Sequence, residues 1–257
     1  MARLLIPLPR QDHDPSEVAI PWQLLREQGH ICVFATPDGR PAQADLRMLS
    51  GQGLGPFKGL LAADARARAT HEALRADPAF QRPLAWSALQ DQDFDALWLA
   101  GGHAQGMREY LESPMLQALV ARHAQAGRPL AAVCHGVVLA ARSRDAQGRS
   151  VLAGRRVTAL LARQELAAWW LTRAWLGDYY RTYPQTVQAE VTAALGEPTL
   201  FEPGPLPIAR DAPGQEGRGF AQQDGNWVTG RWPGDLHRMV QLFSPLLRPS
   251  NAASTAS

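Results

Sequence analysis

Pro129-Leu130-Ala131-Ala132-Val133-Cys134-His135-Gly136-Val137-Val138-Leu139-Ala140-Ala141 reads as a short apolar strand that turns at Cys-His-Gly and leaves as a helix. A buried strand that meets a helix at a corner of small residues is the geometry of a nucleophile elbow. It holds one side chain at the sheet edge beside free helix N–H groups. Cys134 stands at that corner, and the positive end of the helix favours thiolate over thiol, so its sulfur is expected to be unusually acidic and reactive. The alternative is a buried structural cysteine that happens to end a strand.

Working backwards from the elbow, Ser113-Pro114 marks the start of a helix with Met115, Leu116, Leu119 and Val120 on one face and Gly127 at its end. Before it, Asp95 to Ala100 reads as a strand running into Gly101-Gly102-His103. Backbone without Cβ atoms can bring its N–H groups close to a substrate oxygen, so this turn is a candidate oxyanion donor; a tight strand-to-helix turn without a ligand is the other reading. A helix covers about Asp64 to Ala76. The N-terminal part is a strand from Arg3 to Leu8, a polar stretch Gln11 to Ser16, a helix capped by Ser16 and ended by Gly29, and a strand Ile31 to Thr36 closed by Pro37-Asp38-Gly39. Strand, helix and strand with short links form a βαβ unit, which predicts a parallel sheet. Arg40 to Leu60, rich in Gly, Pro and Ala, reads as a long loop at a strand end.

Downstream of the elbow, Arg142 to Ser150 reads as a polar loop and Val151 to Thr158 as a return to the sheet. Residues Glu165 to Tyr183 hold three of the eight Trp and three of the four Tyr. At helical spacing this segment is apolar on most sides, which predicts a helix sandwiched in the interior, with a lid over the site or a subunit interface as the functional alternatives. Gly219 to Trp232 reads as two strands around an Asp-Gly turn, followed by a helix from about Leu236 to Leu247. The Trp-rich helical segment is taken to span about 163–195.

With 257 residues, 46% of them hydrophobic, the chain can bury one core of α/β size, expected over 1–247, with a frayed tail over 248–257. The 26 basic and 24 acidic residues are dispersed, with none of the basic runs that nucleic acid attracts. Two cysteines, Cys32 and Cys134, are too few for a disulfide framework or a cysteine metal site. The segment from Met1 to Pro9 is too short for a signal sequence, and no stretch has the length of a membrane span, so a cytoplasmic location is expected, without nucleic acid or membrane as partners.

In this order and spacing, the Glu17-to-Pro21 helix start, Ala35-Thr36-Pro37-Asp38-Gly39, Gly101-Gly102-His103, Ala132-Val133-Cys134-His135-Gly136 and Asp224-Gly225-Asn226-Trp227-Val228-Thr229-Gly230-Arg231 resemble the ThiJ/PfpI superfamily. The likeness is nearest its chaperone and glyoxalase III branch and runs from about Leu4 to Leu247. It implies a three-layer α/β sandwich around a mostly parallel flavodoxin-like sheet, the fold of class I glutamine amidotransferases, with a nucleophile elbow. It also implies Cys134 as nucleophile, Glu17 as the carboxyl group set against it, and His135 as the second triad member. A carboxyl beside a thiolate titrates as a coupled pair with it. The acid that orients His135 in that branch falls by spacing on Glu165, 31 positions after Cys134; a solvated helix-start residue is the other reading of Glu165. Gly101, Gly102, His103 and Gly136 are the expected oxyanion and substrate contacts.

Val137 replaces a proline common among relatives, and the Trp-rich segment departs from the glyoxalase III branch. Amidotransferase activity proper is disfavoured, since the downstream His-Pro-Glu pairing is missing. The resemblance thus implies a homodimeric, cysteine-dependent enzyme acting on a small carbonyl substrate, glyoxalase III-like or hydrolytic, with no metal and no cofactor. The alternatives are a stress-response chaperone or cysteine redox sensor, and a peptidase.

Overall fold

The computed structural model describes residues 1–248, so the tail expected to be frayed lies, from residue 249 on, outside the described residues. Seven strands form one sheet in the order β5-β3-β1-β6-β7-β9-β8. They are β1 (Arg3–Pro7), β3 (Ile31–Thr36), β5 (Leu84–Ala85), β6 (Ala96–Leu99), β7 (Leu130–Val133), β8 (Ala221–Asp224) and β9 (Trp227–Gly230). All neighbours pair in parallel except β8 on β9, which closes the edge as an antiparallel hairpin. A separate parallel pair joins β2 (Gln11–His13) to β4 (Gln43–Ala44). The central strands β6 and β7 are buried along their whole length, as the near-continuous apolar runs of a doubly covered parallel sheet require.

The covering helices are α1 (Pro15–Glu27), α2 (Leu46–Ser50), α3 (Lys58–Leu61), α4 (Ala65–Arg75), α5 (Pro78–Gln81), α6 (Met107–Leu111), α7 (Pro114–Gln125), α8 (Gly136–Arg142), α9 (Ala162–Leu176), α10 (Val187–Leu195) and α11 (Leu236–Phe243). Helix α1 packs on α4 and α11, whereas α8 packs on α7 and α10, giving the layers above and below the sheet. The α/β sandwich with a mostly parallel sheet is therefore as the sequence predicts.

Several local expectations are corrected. Asp14, not Ser16, caps α1: its carboxylate accepts from the N–H groups of Ser16 and Glu17 at 2.7 and 3.1 Å. The stretch before it is a strand rather than a polar link, and Asp12 adopts φ 76° there. Residues 40–60 are not a bare loop but carry β4, α2 and α3, with Asp45 capping α2. Val157 makes only an isolated bridge to Phe201, so 151–158 does not return to the main sheet as a strand. The final helix ends at Phe243, and Ser244–Leu247 continue as a 3-10 turn.

Strand order also locates the site. The chain runs outward from β1 to β3 on one side and from β6 to β7 on the other, so the switch point lies between β1 and β6. Ligands of open parallel sheets bind in such a crevice, beyond the carboxyl ends of the strands. Glu17 follows β1, Gly101 follows β6 and Cys134 follows β7.

Candidate active site

Cys134 sits at the end of β7 with φ 56°, a left-handed conformation that costs a non-glycine residue about 1–2 kcal/mol. Two neighbours without side chains make room for the corner. A Cβ on Gly136 would lie 2.2 Å from the Leu99 carbonyl oxygen, and one on Gly101 would lie 2.7 Å from the His135 nitrogen. Gly136 thus lets α8 start against the end of β6. The strand ladder is kept up to the corner, because the Cys134 N–H donates to the Gly230 carbonyl at 3.1 Å.

Glu17 lies in the first turn of α1, and the helix lacks a donor for its carbonyl. Pro21 has no N–H to offer the carbonyl four residues before it, which belongs to Glu17. The indole Nε1–H of Trp98, on β6, donates to that carbonyl instead at 2.9 Å. The Glu17 side chain accepts from the Gly101 N–H through Oε2 at 2.7 Å and lies fully buried beside Cys134. Burial, then the charge of Asp14, pushes the Glu17 carboxyl well above the usual carboxylate range. Asp14 is itself raised to about 6 by burial.

The expectation of an unusually acidic thiol is corrected. Burial first, then the nearby Glu17 and Asp14 carboxylates, pushes the Cys134 thiol well above its ordinary value. The dipole of a seven-residue helix is worth at most a kcal/mol or so at the elbow, less than the desolvation of a thiolate with no exposed surface. Thiolate therefore forms only while Glu17 keeps its proton or another group takes the proton of the thiol. Cys32, on β3, is pushed up to about 12 by burial and has no catalytic neighbour.

The ring nitrogen that faces the thiol belongs to His135. Its Nδ1 lies 3.5 Å from Cys134 Sγ and its Nε2 lies 3.1 Å from the Thr182 hydroxyl. The Thr182 hydroxyl donates its single hydrogen to the His103 carbonyl, so it accepts from His135. This network assigns the proton to Nε2 and leaves Nδ1 as the acceptor facing the thiol. Burial, with the His103 and Arg142 charges, keeps the His135 ring neutral by lowering its pKa well below the ordinary value.

Glu165 is not brought to His135. Its carboxyl accepts from the Val187 N–H at 2.9 Å and faces Arg181 at 3.7 Å, and burial raises it to about 7. It is a buried anchor between α9 and α10, neither the acid that orients the imidazole nor a solvated helix start. The orienting group is Thr182, which carries no motif; its signal in the sequence is a lone small hydroxyl within an aromatic run.

The glycine turn divides its roles. The Gly101 N–H is spent on Glu17, whereas the N–H groups of Gly102 and His103 have no protein acceptor among the described residues. A Cβ on Gly102 would meet the Asp12 carbonyl oxygen at 2.4 Å, so only glycine allows the backbone to run there. The His103 ring packs edge-on against His135 and Tyr180, with centroids 5.3 and 5.1 Å away, and its buried Nδ1 has no partner among the described residues. One ligand atom each from His103, Cys134 and His135 lie within 4.8 Å of one another, an imidazole and sulfur set of the type that suits a soft metal ion.

His103 also forms part of the floor of a cavity of about 490 Å³. One wall is α9, through Gln164, Ala168 and Leu171, and the opposite wall is the segment Leu206 to Arg210. Helix α9 is therefore not sandwiched. Glu165, Ala168 and Thr172 are buried, while Trp170 and Trp175 are 61% and 48% exposed. The opposite wall is held at both ends. Arg231, paired with Asp235 in the interior at 2.9 Å, donates to the carbonyls of Pro203 and Pro205; the Asp211 carboxylate receives the Arg238 N–H and meets His237 Nδ1.

Residues 8–192 match the family described as ThiJ/PfpI family-like. An uncharacterized protein of Schizosaccharomyces pombe is 31% identical over 121 residues, 46% of this chain and 44% of that protein, so the match spans under half of its length. A protein of Thermococcus kodakarensis named a deglycase is 25% identical over 167 residues, 64% of this chain and 69% of its own. Among solved structures, the Rapid Encystment Protein of Francisella tularensis superimposes with a TM-score of 0.70 at 15% identity, covering 97% of this chain and all of that one. Glyoxalase III of Candida albicans superimposes at 0.66 and 16% identity, covering 96% and 98%. At these identities the structural likenesses establish the fold.

Proposed function

This chain belongs to the ThiJ/PfpI family-like proteins, and on that premise we propose that it is a cysteine-dependent enzyme that converts a reactive α-oxoaldehyde to a 2-hydroxy acid, as glyoxalase III does. One observation carries the reading: an imidazole nitrogen and a buried carboxyl flank one sulfur. His135 turns Nδ1 to the thiol at 3.5 Å, and burial shifts the Glu17 carboxyl toward its protonated form. Addition of a thiol to an aldehyde followed by proton transfer between adjacent carbons needs both a base and an acid within reach of the sulfur-bound carbon.

In this scheme His135 Nδ1 takes the thiol proton as Sγ bonds to the aldehyde carbon. The carbonyl electron pair moves to oxygen, which the Gly102 and His103 N–H groups hold until it is protonated. A base removes the hydrogen of that carbon to give an enediol, and a proton is returned to the neighbouring carbon. The product is a thioester of the 2-hydroxy acid, and water cleaves it, releasing the acid and restoring the thiol. The sum is aldehyde plus water giving hydroxy acid, with no net oxidation. The names of the glyoxalase III and deglycase relatives support chemistry of this kind.

The test is the product of methylglyoxal in D₂O, read by proton NMR. Lactate carrying deuterium at C2 is expected, and Cys134→Ser is expected to lower turnover at least a thousandfold. Full retention of protium at C2 would count against an enediol open to solvent and favour a hydride shift. Absence of turnover with dicarbonyls, esters and amides alike would favour a chaperone or redox-sensing role.

A further inference from the structure

We infer that the carbonyl substrate carries an apolar substituent of about the size of a phenyl ring, seated in the cavity between α9 and the Leu206–Arg210 segment; this rests on the carbonyl reading above. Size is the first argument. Methylglyoxal has five non-hydrogen atoms, and at roughly the 30 Å³ that a water molecule occupies in the liquid it would fill on the order of 150 Å³. The cavity offers about 490 Å³, within the range of sites that enclose small organic ligands.

Chemistry is the second argument. Apart from Arg163 and Arg210, the lining is mainly apolar, through Leu61, Leu160, Ala168 and Leu171, and Leu206 and Ile208 stand at the cavity 63% and 87% exposed. Apolar side chains left in water beside a cavity are the usual mark of a surface that another apolar group covers. Position is the third argument. His103 belongs both to the cavity lining and to the cluster around Cys134, so one ring separates the cavity from the sulfur and places the two within reach of one substrate.

The test compares initial-rate kcat/KM for phenylglyoxal and methylglyoxal in the full chain and in Ala167→Phe, which narrows the cavity from α9. The expected ratio is at least tenfold in favour of phenylglyoxal, falling to about one in the variant. Ile208→Asp, at an exposed position that tolerates a polar side chain, is expected to lower the ratio as well and serves if Ala167→Phe does not fold. A ratio of one or less in the unaltered protein, or a high ratio that neither folded variant lowers, overturns the inference and leaves the carbonyl reading standing. Turnover of neither aldehyde overturns both.

Discussion

A single hydroxyl decides which nitrogen of His135 meets the thiol. If Thr182 did not accept from Nε2, the neutral ring could carry its proton on Nδ1 and confront the S–H with another donor. Thr182→Val is therefore expected to lower kcat about tenfold with KM little changed, the size of one lost hydrogen bond of about 1.4 kcal/mol. Thr182→Ser should restore most of the rate, which a purely steric role would not require. Steady-state kinetics on methylglyoxal check both. The contrast between Thr182 and Cys134 shows where sequence reading ends. Cys134 is announced by its own strand, turn and helix, all local. Thr182 lies 47 positions from His135, and nothing near it in the chain reveals the partner. Glu17 is legible through the family resemblance alone, because the burial that makes it an acid comes from β6 and the elbow. Spacing pointed to Glu165, but spacing does not specify direction, and its carboxyl turns to Val187 and Arg181.

At the scale of elements, α1 and β6 are joined by the substitution of an indole for a missing amide. Trp98→Phe leaves the Glu17 carbonyl buried without a donor and is expected to destabilise the protein by about 1–3 kcal/mol in urea unfolding. Pro21→Ala restores a helix N–H at the same carbonyl, so the double variant should lose less than Trp98→Phe alone, a coupling that a mutant cycle reads directly. The core strands and their parallel order followed from apolar runs and short links. The short elements at 40–60 did not, since Gly and Pro conceal helices that are only four or five residues long and held by Asp45 and tertiary packing. The spacing predicts a Trp-rich helix apolar on most sides, yet its buried stripe is Glu165, Ala168 and Thr172, and its indoles bond outward: Trp175 to the Gly53 carbonyl and Trp169 to Asp178. We propose the exposed Trp170 side of this helix as the surface of a homodimer. Light scattering should give about twice the 28.1 kDa chain mass, falling to the single mass in Trp170→Asp.

For the whole molecule, buried titratable groups oppose one another as pH falls. The raised carboxyls, Asp14 at about 6, Glu165 at about 7 and Glu17 above its ordinary value, stay protonated in the fold while the unfolded chain ionises. Their share of stability is full below about pH 4.5 and is lost as pH rises through the folded values. The buried imidazoles have lowered values, His13 about 3, His103 and His123 about 4, with His135 lowered too. They remain neutral in the fold, so their share is full above about 6.5 and lost as pH falls toward those values. Between pH 7 and 5 the two sets largely offset, and Tm measured by calorimetry should change little. Below about 4 the carboxyls approach full protonation in both states, His13 at about 3 still acts, and Tm should drop. The clamps at Pro203 and Asp211 matter on a longer clock. A wall fastened at both ends to Arg231, Asp235 and the start of α11 lets the residues between them be exchanged while the sheet keeps its register. Replacements at Leu206 and Ile208 can accordingly reshape that wall and leave the elbow unaltered.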